Sequence, residues 1–69
     1  MKEKYTLVGV DGNAFAIMGY VSNAMRREGF TVEQIKDYRI KACKSDYNNL
    51  LVVSMEQLEE VNEKVEGGK

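Results

Sequence analysis

Hydrophobic and polar positions in this chain repeat with the period of an α-helix over most of its length. Apolar residues recur every three or four positions in three segments, which predict helices over 14–28, 32–44 and 47–65. The third segment separates its faces most cleanly, because a row of glutamates lies opposite its apolar stripe. We therefore expect a mainly helical domain whose core forms between three helices. The side chains expected in that core are Ala14, Ile17, Met18, Val21, Ala24 and Met25; Val32, Ile35, Tyr38, Ala42 and Cys43; and Tyr47, Leu50, Leu51, Ser54, Met55, Leu58, Val61 and Val65.

A short junction, residues 29–34, leaves almost no linker between the first two helices. Gly29 suits the left-handed conformation that closes a helix. Thr31 and Gln34 fit the reciprocal capping box of the next helix, and Phe30 stands where it can pack against both helix ends. The two helices should therefore meet at a fixed angle.

The N-terminal residues 5–10 are rich in β-branched and aromatic side chains and are followed by turn residues, so they predict a short strand. The expected fold class is thus mainly α with one N-terminal strand (α+β), in the order strand, helix, helix, helix, over a single domain of residues 1–66 with a frayed tail at 67–69. Such a strand needs a partner strand. One candidate partner is the same strand of a second copy, and this self-association would bury Leu7 and Val8. The alternatives are residues 50–53, read as a strand instead of a helix, or residues 61–65.

Composition describes a small globular protein of 69 residues, 43% apolar and 30% charged. The single cysteine cannot form an intramolecular disulfide, and the N-terminus offers too few apolar residues for a signal peptide or a membrane span. We expect a reduced, cytoplasmic protein that does not enter a membrane. Residues 26–44 carry six basic and three acidic side chains, whereas residues 45–69 carry two basic and six acidic ones. The simplest interpretation is that the two segments pack side by side.

The residue types that most enzymes and metal sites need are scarce. The chain has no histidine, and one cysteine cannot form a zinc site. Cys43 lies on an apolar stripe, which favours an unreactive core thiol. The turn with Asp11 and Asn13 lacks a complete phosphate-binding or calcium-binding motif and is better explained as a turn with a helix cap. We expect no catalytic residues, no metal and no cofactor.

A non-catalytic protein-interaction module is therefore the favoured function, with a protein partner whose identity the sequence leaves open. The candidate interaction residues are Leu7, Val8, Asp11, Asn13, Arg26, Arg27, Lys36 and Arg39. The alternative is a DNA-binding or accessory protein, because residues 21–38 are spaced like a helix-turn-helix. Glu33 and Asp37 interrupt the cations of its second helix and would repel phosphates, so nucleic acid is the less favoured partner.

Three groups of residues carry a resemblance to known proteins. They are Val8-Gly9 with Asp11-Gly12-Asn13-Ala14-Phe15, then Arg26-Arg27-Glu28-Gly29-Phe30, and finally Ser45-Asp46-Tyr47 with Leu50-Leu51. In these residues the chain resembles a group of short uncharacterised proteins of bacteria and their phages. The resemblance implies a small intracellular protein, carried on a phage or another mobile element, and it implies no particular activity.

Overall fold

The computed structural model describes residues 5–67, which form a small helical domain of three α-helices. These are α1 (Ala14–Arg27), α2 (Val32–Ala42) and α3 (Tyr47–Gly67), and each packs against the other two. The helical periodicity thus predicted all three helices, and the segment 50–53 is helical. The acidic helix α3 packs against both α1 and α2, so the segments 26–44 and 45–69 lie side by side. Residues 68 and 69 of the predicted tail lie outside the described residues.

The predicted N-terminal strand is wrong, since no strand occurs within residues 5–67. The chain instead folds back on the helices, and the Asn62 side chain takes the place of a partner strand. Its Oδ1 accepts from the Tyr5 backbone N–H at 2.8 Å, and its Nδ2 donates to the Tyr5 carbonyl at 2.9 Å. A turn then follows, in which the Val10 N–H donates to the Leu7 carbonyl at 3.0 Å and Gly9 takes a φ of 85°. Strand-mediated self-association therefore loses its basis.

The junction between α1 and α2 confirms the sequence prediction. Gly29 has a φ of 87°, and two backbone bonds close α1 as a Schellman motif: Phe30 N–H to the Met25 carbonyl at 3.0 Å and Gly29 N–H to the Arg26 carbonyl at 3.2 Å. The capping box of α2 is complete. Its bonds run from the Gln34 N–H to the Thr31 hydroxyl and from the Thr31 N–H to the Gln34 side chain. Short-range geometry therefore fixes how the two helices join.

The core lies where the three helices meet, and its most buried side chains are Val21, Met25, Tyr38, Ser54 and Val61. Four members of the predicted stripes are exposed instead: Val32, Cys43, Tyr47 and Met55. Three of them lie at the first or last turn of α2 or α3, where the neighbouring helices no longer cover the apolar stripe. Periodicity identifies the face of a helix that turns inward but not where along the axis that face stops being covered.

Candidate interaction surfaces

The residues predicted for interaction do not form one site. Leu7 packs against the core, while Val8 is 84% exposed in the N-terminal turn. Asn13 caps α1, because its Oδ1 accepts from the Phe15 N–H at 2.8 Å, and Asp11 in turn accepts from the Asn13 N–H at 3.0 Å. These two polar side chains therefore stabilise the start of α1. The sequence also predicted this role, as a turn with a helix cap.

Arg26 and Arg27 border a groove of about 450 Å³ between the end of α1 and the N-terminal segment. We call it the arginine groove. Its lining residues are Tyr5, Tyr20, Asn23, Ala24, Arg26 and Arg27. The sequence predicted both arginines as interaction residues but not their neighbours. Tyr5 reaches the groove only because the N-terminal segment folds back, which no local pattern in the sequence indicates.

Two tyrosines form the aromatic wall of the arginine groove. The rings of Tyr5 and Tyr20 meet edge to face, with centroids 6.3 Å apart and planes at 73°. Hydrogen bonds position both tyrosines. The Tyr20 hydroxyl accepts from the Thr6 N–H at 3.0 Å, and the Asn62 side chain binds the Tyr5 backbone. The wall is therefore fixed by hydrogen bonds from the side chains of Tyr20 and Asn62 to the backbone of residues 5 and 6.

Hydrogen bonds to neighbouring side chains orient some of the charged side chains near the arginine groove. Arg26 Nη1 donates to Asn23 Oδ1 at 2.9 Å, one helical turn earlier on the same exposed side of α1. The Tyr5 hydroxyl donates to Glu28 Oε2 at 2.7 Å, and this bond raises the pKa of Tyr5 above its usual range, while nearby Arg27 lowers it by a smaller amount. Two arginines thus line the groove, and the Glu28 carboxylate accepts a hydrogen bond from one of its tyrosines.

The other two predicted cations, Lys36 and Arg39, are exposed on α2. Two apolar side chains accompany them: Val32 is 81% exposed and Ile40 is 59% exposed. Because positions 32, 36, 39 and 40 follow one another at helical spacing, the four side chains share one side of α2, which we call the helix-two face. The sequence pattern does not predict this face, since the apolar stripe places Val32 in the core. The one sign of it in the sequence is Ile40, an apolar residue of α2 outside the predicted stripe.

Cys43 is exposed, so its prediction as a core thiol is wrong. Its Sγ donates to Met18 Sδ at 3.4 Å at the edge of the core, where α2 has ended. The thiol also borders an apolar groove of about 310 Å³ between the ends of the helices. The lining residues of that groove are Ala14, Ala42, Cys43, Ser45, Asp46, Tyr47 and Leu50.

Within residues 5–67, no three histidine, cysteine, aspartate or glutamate side chains lie close enough together to hold a metal ion. No helix in this part of the chain combines the length and apolar character that crossing a bilayer requires. No family model matches the sequence, and neither curated proteins nor solved structures show significant similarity to it. The function must therefore be inferred from the surfaces themselves.

Proposed function

We propose that this protein is a non-catalytic protein-interaction module that docks a partner on the helix-two face. The observation that carries the proposal is the exposure of Val32 and Ile40, at 81% and 59%, beside the cations Lys36 and Arg39. Such a mixture of apolar and cationic groups is complementary to a protein surface that combines apolar side chains with carboxylates.

The same composition makes the helix-two face a poor match for nucleic acid. A phosphate backbone gains little from Val32 and Ile40. Its regularly repeated charges would also meet Glu33 and Asp37 on the same helix, whereas a protein partner can present a single carboxylate to Lys36 or Arg39. We therefore expect duplex DNA to bind more weakly than the ~10⁻⁶ M that marks the tighter end of non-specific binding at physiological salt.

A photo-crosslinking amino acid at position 40 tests the proposal in the source cell. Irradiation should produce a discrete covalent adduct with another protein, because the side chain at this position would lie in the interface. Val52 provides a matched control, since it is also apolar and is 53% exposed, but it belongs to α3. No adduct from position 40, or the same adducts from position 52, would contradict docking on the helix-two face.

A helix-turn-helix DNA-binding or accessory protein is the second candidate. The observation in its favour is the tight junction between α1 and α2, where the Schellman motif at Gly29 leads directly into the capping box at Thr31. An electrophoretic mobility shift at submicromolar protein and physiological salt, abolished by the Lys36→Gln and Arg39→Gln substitutions, would favour this candidate over protein docking.

We further propose a cytoplasmic location and an origin on a phage or other mobile element, as the resemblance to short bacterial and phage proteins implies. The location is checked by fractionating source cells and detecting the protein by immunoblot. The origin is checked by the genes that flank it: integrase or structural phage genes would support it, and an invariant housekeeping neighbourhood would contradict it.

A further inference from the structure

We propose that the arginine groove binds an acidic protein segment in which a carboxylate lies next to an aromatic or other apolar side chain. This inference rests on the proposed function as an interaction module and goes beyond it, because it assigns a ligand chemistry to a second surface. It concerns a surface separate from the helix-two face. Its evidence is the charge and lining of the groove.

The two arginines supply the attraction for a carboxylate. A guanidinium presents its donors in a planar fork that matches a carboxylate, and charge-assisted bonds of this kind are stronger than neutral ones. The 2.9 Å bond from Arg26 to Asn23 restricts the Arg26 side chain before any ligand arrives. Such pre-orientation lowers the conformational entropy that binding would otherwise cost.

Glu28, which directly follows the two arginines in the sequence, is an acidic side chain that bears on the charge of this surface. It accepts the Tyr5 hydroxyl at 2.7 Å, so part of its hydrogen-bonding capacity is directed to the aromatic wall. Among the residues that the structure describes here, the two arginines outnumber this glutamate, which leaves a local excess of positive charge beside the groove. That excess suits one carboxylate.

The remaining lining selects for an apolar neighbour of that carboxylate. Tyr5, Tyr20 and Ala24 give the groove aromatic and aliphatic surface beside the guanidinium groups. An aromatic side chain can pack against the edge-to-face tyrosine pair. Nucleic acid is the poorer match, because the groove offers two guanidinium groups whereas a nucleic acid carries a phosphate at every nucleotide.

A titration followed by NMR tests this assignment with defined probes. The first probe is a short peptide containing glutamate, phenylalanine and glutamate in succession, and the second replaces both glutamates with glutamine. We expect the acidic peptide to shift the side-chain Nε–H signals of Arg26 and Arg27 in a saturable manner. The glutamine peptide should bind at least roughly ten-fold more weakly, as expected when charge-assisted bonds are lost.

Substitutions then locate the binding. Arg26→Gln and Arg27→Gln should each weaken the acidic peptide roughly ten-fold. The control Lys44→Gln removes an exposed cation that lies neither in the arginine groove nor on the helix-two face, and it should leave the affinity unchanged. Circular dichroism verifies that each variant is folded. Arg26→Lys keeps the charge but removes the planar fork, so a loss of affinity intermediate between wild type and Arg26→Gln would support recognition by the guanidinium.

Four results would overturn the inference: no saturable shift, equal binding of both peptides, equal weakening by Lys44→Gln, or displacement of the peptide by inorganic phosphate or a short oligonucleotide at comparable concentration. The proposed function fails by a different measurement, namely the absence of crosslinks from position 40. A cross-linked partner without peptide binding would therefore refute only the ligand class assigned to the arginine groove.

Discussion

The buried hydrogen bond between Tyr38 and Ser54 allows the sharpest prediction about stability. Both side chains are almost completely buried, at 1% and 0% exposure, and their hydroxyl oxygens are 2.7 Å apart. The bond joins the middle of α2 to the middle of α3. Ser54→Ala removes the partner of the Tyr38 hydroxyl without creating a large cavity, so the main cost is an unsatisfied polar group in the core.

The expected magnitude follows from two opposing effects. An orphaned buried hydroxyl costs about 1–3 kcal/mol, whereas alanine gains roughly 0.5 kcal/mol over serine in a helix interior. Ser54→Ala should therefore lower the free energy of unfolding by about 0.5–2.5 kcal/mol. In a domain of this size each kcal/mol corresponds to roughly 4–8 °C in Tm. Tyr38→Phe should be destabilising for the same reason, because it leaves the Ser54 hydroxyl without its partner.

Urea unfolding of the two single variants and of the double variant measures the coupling. The double variant should be more stable than the sum of the single effects implies, since removing both hydroxyls leaves neither unsatisfied. Ser22 supplies a matched control. It is 7% exposed on α1, and its hydroxyl has no hydrogen-bond partner within the described residues, so Ser22→Ala should be neutral or stabilising. A Ser54→Ala protein as stable as the wild type, or strictly additive single effects, would refute the reasoning.

Three further predictions concern the backbone, the pH dependence and the N-terminal segment. Gly29→Ala should destabilise by ~1 kcal/mol or more because of the φ of 87°, whereas Gly19→Ala, with open space around its Cβ position, should stabilise by up to about 1 kcal/mol; denaturation midpoints that move together would contradict this. Burial raises the pKa of Tyr38, so the unfolded chain releases this proton at lower pH than the folded one, and the free energy of unfolding should fall as pH rises above about 10. Tyr38→Phe should flatten that fall in urea titrations at several pH values but not abolish it, because the Tyr5 pKa is also raised; an unchanged slope would contradict the assignment. Asn62→Ala should remove the amide-exchange protection of the Tyr5 N–H while the helices remain protected, and retained protection would show that Asn62 does not hold the segment.

The parts of the fold that the sequence predicted are those governed by contacts between near neighbours. The capping box joins Thr31 to Gln34 three residues away, and the Schellman motif spans six residues from Met25 to Phe30. Helical periodicity likewise depends on neighbours three and four positions apart. These signals remain readable because each is complete within a few consecutive residues.

The N-terminal segment shows why the rest was not predictable. Its composition favours a strand, yet the group that satisfies its backbone is an asparagine side chain 57 positions later. β-Propensity describes how well side chains fit a half-buried extended surface, and it does not specify which donor or acceptor the backbone will meet.

The arginine groove depends on the same long-range contact between Asn62 and Tyr5. Arg26 and Arg27 could be selected from the sequence as charged residues in the last turn of a helix, but their groove exists only because Tyr5 is fastened beside Tyr20. If Asn62→Ala releases Tyr5, it should therefore also weaken the acidic peptide at the arginine groove, although residue 62 does not line that groove. Loss of Tyr5 protection with unchanged peptide affinity would show that the arginines alone account for binding.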